Sequence, residues 1–166
     1  MSFQKISTVL LLMVLHQGLG AAQPKTIETA QGHVQGVASR VDGVTAYLGL
    51  PYAEPPVGPL RWKAPRPPVP WQGVRQADSF GNRCIQTDPY PDMIWNSPKE
   101  SEDCLYLSVW APAKARDLPV MVWIHGGGFL SGSGDEERHD GAVLASRGVL
   151  TVTINYRLGV LGFLAH

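Results

Sequence analysis

Residues 121–129 read MVWIHGGGF, an apolar stretch that stops at His125 and three successive glycines. An uninterrupted apolar run of about four to eight residues fits a buried strand. Successive glycines open backbone dihedrals closed to other residues and leave main-chain N–H groups clear of side chains. Clear N–H groups can hold negative charge. Aimed at a carbonyl oxygen, they stabilise the oxyanion that forms when a nucleophile adds to the carbonyl carbon. The chemistry available to such a loop is acyl transfer, which also needs a nucleophile, a base and a carboxylate that orients the base. A serine nucleophile for this kind of loop sits in G-x-S-x-G, and no such run occurs among the 166 residues. Ser131 and Ser133 stand beside glycines at the wrong offsets. By residue type His125 is a candidate base.

The elements that must hold this loop are legible on either side of it. The run 149–155, VLTVTIN, is a second β-branched apolar strand, and 135–147, DEERHDGAVLASR, carries the acidic start and basic end of a short helix. Strand, helix, strand with apolar strands is a βαβ unit of a parallel sheet. The charged run 135–138 is read as the solvated start of that helix, without a partner. Upstream, 105–111 reads as a strand, 113–118 as a polar turn, 46–53 as a strand, and 26–44 as small antiparallel strands at an edge. Eight prolines between Pro51 and Pro70 preclude a regular element there. Tyr52, Leu60, Trp62, Val69 and Trp71 are interleaved with them, which argues for an ordered loop pinned by aromatics over a free linker. Residues 80–100 form a second irregular region tethered at Cys84.

With 14 basic and 14 acidic side chains the chain is formally neutral, so it lacks the electrostatic footprint of a nucleic-acid or membrane-surface binder. A hydrophobic content of 44% marks a globular chain of one domain's length. Lys5, the apolar run 6–15 and the small residues Gly20, Ala21 and Ala22 compose a cleavable signal peptide over 1–22. That run is short of the roughly 20 apolar residues a spanning helix needs, so stable membrane insertion is not expected. The remainder, 23–166, is expected to be secreted or periplasmic. An oxidising compartment favours pairing the two cysteines, Cys84 and Cys104, over leaving two buried thiols.

The motifs YLGLPYAEPPVGPLRW (47–62), SEDCLYLSVW (101–110), WIHGGGF (123–129), GSG (132–134), HDG (139–141) and NYRLGVLGFLA (155–165) occur in that order. Together they resemble the type B carboxylesterase/lipase family, which includes cholinesterases, bacterial esterases and the non-enzymatic neuroligins. The resemblance runs from about residue 26 onward and implies an α/β-hydrolase fold that is incomplete here: N-terminal strands, the first βαβ unit and the oxyanion-hole loop. It implies that Gly127 and Gly128 give their N–H groups to the oxyanion, with Gly126 as the turn that lets them face the site, and that His125 is structural and not the base. It implies a disulfide between Cys84 and Cys104 that closes a loop at the rim of the substrate gorge. It further implies a partly buried, bidentate ion pair between Arg61 and Glu102, tying the proline-rich segment to the SEDCLYL strand. Trp95 falls near the tryptophan that binds the quaternary ammonium in cholinesterases. Its nine-residue spacing from Cys104 is one residue shorter than the cholinesterase pattern, which favours a plain gorge-wall aromatic over a substrate-binding one.

By the same resemblance the activity is carboxylic ester hydrolysis through an acyl-enzyme, on a small-molecule ester, with no cofactor or metal. The order Ser, then Asp or Glu, then His puts the whole triad beyond His166, so this stretch alone is expected to be inactive. The strand leading to the serine would pair with 120–125 on the side away from 149–155. Without it that edge is flat, apolar and open, an aggregation hazard. Two alternatives stand beside the esterase: a non-catalytic binding or adhesion member of the same fold, and a truncated product without function.

Overall fold

Strand β4 (Val44–Pro51) is the spine of the main sheet. Its residues alternate in direction, as a strand's must, and they build a core on each side. Val44 and Ala46 point to one side and pack with Trp110, Ala142 and Ala145. Tyr47 points to the other and packs with Val34 and Ala77. The computed structural model that shows this describes residues 25–88 and 90–165. The signal peptide expected over 1–22 lies outside those residues.

The remaining strands are β1 (Thr26–Thr29), β2 (Gly32–Gln35), β3 (Val37–Ala38), β5 (Val74–Gln76), β6 (Arg83–Cys84), β7 (Glu100–Ser101), β8 (Tyr106–Pro112), β9 (Val120–Ile124) and β10 (Leu150–Ile154). The main sheet runs β3-β4-β8-β10-β9, with small sheets β1-β2-β5 and β6-β7 beside it. The pair β9–β10 is parallel and encloses helix α1 (Ala142–Ser146), the βαβ unit expected from the sequence. The rest of the main sheet is antiparallel, with β10 on β8 and β8 on β4. The sheet is therefore mixed and not parallel throughout. Of its antiparallel pairs only β3–β4 is joined by a short turn; β4 and β8 are separated by residues 52–105, and β8 and β10 by β9 and α1.

Helix α1 is shorter than the periodicity of 135–147 suggests. Residues 137–139 make a single 3₁₀ turn (Glu137–His139), and α1 starts after Gly141 with the Ala142 N–H donating to Asp140 Oδ1 at 2.7 Å. Ala142 and Ala145 are fully buried, and their small side chains let the helix lie close to the Trp110 ring. A second one-turn helix, α2 (Gly159–Phe163), follows β10.

The proline-rich segment is ordered with almost no regular structure, just one 3₁₀ turn at Gly58–Leu60. Polar ends of its aromatics fix it: Trp62 Nε1 donates to the Val160 carbonyl at 2.8 Å and Trp71 Nε1 to the His33 carbonyl at 2.9 Å. Trp62 remains 54% exposed, so its hold is hydrogen bonding more than apolar burial. Strand β9 closes the sheet on one side, and Val120, Val122 and Ile124 are more than half exposed (60%, 52% and 64%). The run 121–124 is thus an open sheet edge among the described residues and not a buried central strand. Among the described residues no helix is long and apolar enough to cross a membrane.

Candidate active site

The candidate site begins where β9 ends. Its register with β10 runs without a break from Val120 opposite Leu150 to Ile124 opposite Ile154, and Leu150 N–H also bonds the Pro119 carbonyl at 2.9 Å. The next residue, His125, is buried at 3% exposure. Its ring stacks on Tyr156 with centroids 4.3 Å apart, and Tyr156 Oη donates to the His125 carbonyl at 2.8 Å. Burial holds the imidazole below its ordinary pKa, against the opposing pull of its bond to Gly126. The neutral ring then carries its proton on Nδ1, which lies 2.9 Å from the Gly126 carbonyl and donates to it. Nε2 is buried without a partner among the described residues. A base must reach the proton it takes, and this ring is packed away, which supports a structural role for His125.

The loop orients its glycines by holding their carbonyls. A trans peptide plane sends the carbonyl and the following N–H in opposite directions. His125 Nδ1 fixes the Gly126 carbonyl, so the Gly127 N–H points away from His125. The Gly127 carbonyl accepts from Leu130 N–H at 3.1 Å and Ser131 N–H at 3.2 Å, which turns the Gly128 N–H outward as well. Neither of these two N–H groups has a partner among the described residues. Gly127 sits at φ +115°, and a Cβ there would collide with the Ser131 carbonyl. The left-handed turn runs through Gly127, Gly128 and Phe129 (φ 63°), whereas Gly126 keeps an ordinary φ. The turn expected at Gly126 is therefore made one residue later, because the bond from the His125 ring already fixes the Gly126 peptide.

Beside the glycines lies a cleft of about 350 Å³ lined by Ile124, His125, Gly126, Gly128, Phe129, Tyr156 and Phe163. Phe129 and Phe163 face each other at 4.4 Å between centroids, and the Phe129 carbonyl accepts from Gly159 N–H at 2.7 Å. An apolar wall next to unpaired backbone donors suits a neutral acyl group with one polarisable carbonyl. Ser131 and Ser133 are fully buried and committed to hydrogen bonds, Ser131 Oγ donating to Gln86 Oε1 at 2.9 Å and Ser133 Oγ to the Asp135 carboxylate. Neither is a free nucleophile. Among the described residues no group of three or more His, Cys, Asp or Glu side chains is placed to hold a metal ion.

The reading of 135–138 as a solvated run holds for Glu137 and Arg138, which are exposed, and is corrected for Asp135 and Glu136. Asp135 and Glu136 are each only 3% exposed. Asp135 accepts the N–H groups of Asn96 at 2.8 Å and Ser97 at 2.5 Å and the hydroxyl of Ser133. Glu136 pairs with Arg138 Nε at 2.7 Å. Three donors around one buried carboxylate meet the requirement that a buried charge be compensated. Together they fasten the end of the glycine loop to residues 96–97. Sequence reasoning missed Asp135, Asn155 and Gln86 as supports of this loop. The available signal was weak: a polar residue immediately after a β-branched strand, in the case of Asn155.

Cys84 and Cys104 form a disulfide (S–S 2.03 Å) across a separation of 20 residues. By the chain-entropy model such a closure is worth on the order of 3 kcal/mol. Arg61 meets Glu102 with two parallel bonds, Nε to Oε2 at 2.5 Å and Nη2 to Oε1 at 2.6 Å. Hydrogen bonding to the guanidinium, then its charge, pulls the Glu102 carboxyl below its usual range. Trp95 stands apart from the cleft walls. The Arg83 guanidinium lies over its ring at 5.6 Å, and its backbone bridges to Glu136. The structure thus places Gly128 in the cleft lining with Gly127 next to it in the chain, while Arg61, Cys84, Glu102 and Cys104 line a separate pocket and Trp95 is not among the cleft's lining residues.

Compared with known proteins, residues 23–166 match the model of a family described as the carboxylesterase family. The chain is 47% identical over 141 residues to a para-nitrobenzyl esterase of Bacillus subtilis, covering 83% of this chain and 28% of that protein. It is 44% identical over 174 residues to an acetylcholinesterase of Danio rerio, covering 96% of this chain and 27% of that one. It is 46% identical over 146 residues to a fumonisin B1 esterase of Sphingopyxis macrogoltabida, covering 86% and 26%. Among solved structures, a thermophilic PNB esterase superposes with a TM-score of 0.80 at 44% identity, covering 87% of this chain and 30% of that one. The fold is that of these esterases, the α/β-hydrolase fold, present here as its N-terminal part. The chain spans under a third of the length of each of these relatives.

Proposed function

The chain belongs to the carboxylesterase family, and from that premise we propose that it is the first part of a serine esterase that hydrolyses small carboxylic esters through an acyl-enzyme. Gly127 and Gly128 give their N–H groups to the carbonyl oxygen as it becomes an oxyanion. The observation that carries this is the pair of held carbonyls, Gly126 on His125 Nδ1 and Gly127 on Leu130 and Ser131. They set both donors before substrate arrives, and preorganised donors cost no reorganisation in the transition state. The cleft lined by Phe129 and Phe163 receives an apolar portion of the ester.

The attacking serine, the base and its orienting carboxylate belong to residues outside the 166. The stretch on its own therefore does not turn over. Trp95, with the Arg83 guanidinium over its ring and no place in the cleft lining, is read as a structural aromatic and not as a cation site. The apolar run 6–15 and the disulfide support export. The test is hydrolysis of a p-nitrophenyl ester. The full-length protein is expected to turn it over, and residues 23–166 alone to match a heat-killed control. Turnover by the isolated stretch, or none by the full-length protein, refutes the reading.

A further inference from the structure

We propose that Gln86 is a positioning residue for the oxyanion loop, an inference that rests on the esterase reading. One carboxamide makes four hydrogen bonds. Nε2 donates to the Cys84 carbonyl at 3.0 Å and to the Gly132 carbonyl at 3.1 Å, while Oε1 accepts from Ser131 Oγ at 2.9 Å and from Gly132 N–H at 2.6 Å. That uses both donors and both lone pairs of a primary amide. Gly132 is held through its N–H and its C=O together, as a sheet partner would hold it.

The two residues that Gln86 grips are the ones against which the donors rest. A Cβ on Gly132, which sits at φ +115°, would strike the His125 ring and the Gly126 carbonyl. A Cβ on Gly127 would strike the Ser131 carbonyl. The 126–127 and 127–128 peptides therefore lie directly on the backbone of 131–132, with no room between. A shift of that backbone passes straight to the two N–H groups. Gln86 is anchored in turn, two residues from the disulfide at Cys84. It does not line the cleft. Its role is to fix the floor of the loop.

The experiment uses the full-length protein with Gln86→Met, which keeps the length and removes all four bonds. Steady-state hydrolysis of a p-nitrophenyl ester should show kcat lowered about tenfold to a hundredfold with KM nearly unchanged, the range set by misplacing an oxyanion donor short of removing it. Inhibition by a trifluoromethyl ketone, whose hemiketal oxygen occupies the oxyanion position, should weaken in step with kcat. Amide hydrogen exchange across 126–132 should quicken. If Gln86→Met does not fold, Ser131→Ala removes one of the four bonds and should show a loss of a few fold with the same pattern. Unchanged kcat and ketone affinity in a folded variant overturn the proposal, even if exchange quickens, because Gln86 is then a purely structural support. A parent protein without ester turnover overturns the esterase reading instead. Loop exchange then decides by itself, and equal rates in parent and variant sink the clamp.

Discussion

His125 shows how a buried ring can set the direction of a backbone N–H. Its neutral ring donates to the Gly126 carbonyl and so aims the Gly127 N–H. Burial depresses its pKa below the ordinary 6.5. A group depressed on folding contributes stability that is complete above its unfolded pKa and is lost as pH falls through its folded one. The full-length protein should therefore lose thermal stability as pH drops below about 6.5, and His125→Gln should flatten that part of the Tm-versus-pH curve. Parallel curves for parent and variant would remove His125 as the cause. The glycine loop and His125 were legible in the sequence because they are consecutive, so their chemistry is local. Asp135 and Gln86 were not. Their partners, Asn96 and Ser97 for one and Gly132 for the other, are brought near by the chain's path. A charge run such as 135–138 reads as a solvated face until that path is known.

At the scale of elements, the strands of the main sheet were placed to within a residue or two, because apolar runs bounded by Gly, Pro and polar turns set them, whereas β5, β6 and β7, two or three residues each, were not read as strands. Their directions were less legible. The β9–β10 pair is parallel as its helix requires, but β8 meets β10 antiparallel, and a run of Val, Ile and Thr reads the same in either direction. The segment after β10 is joined to the disulfide through Leu158, 1% exposed and packed with Ala53, Cys84, Cys104 and Leu105. Leu158→Ala leaves a cavity at the meeting point of three segments and should cost about 2–5 kcal/mol. Denaturant unfolding of the full-length protein measures this, and a change below about 1 kcal/mol would mean the site collapses around the gap.

At the largest scale, β9 ends the main sheet among the described residues, with Val120, Val122, Trp123 and Ile124 exposed. Unpaired N–H and C=O groups along an apolar edge are a template for another chain. Residues 23–166 produced alone should self-associate, and Val122→Lys should lower their light scattering, since an edge lysine opposes strand addition. A monomeric, cooperative melt of that stretch would contradict this. The same strand also acts as a ruler. It is locked to β10 residue for residue from Val120 to Ile124, and the glycine loop starts at the next position. The loop's height above the sheet can therefore change only in whole steps of about 3.3 Å, each of which also turns every side chain of the strand to the opposite face. An inserted or deleted residue within 120–124 has no graded effect to offer selection. A change in chain length is accommodated at lower cost in the turn at 113–118, which leaves the register of 120–124 on β10, and so the distance between donors and sheet, untouched.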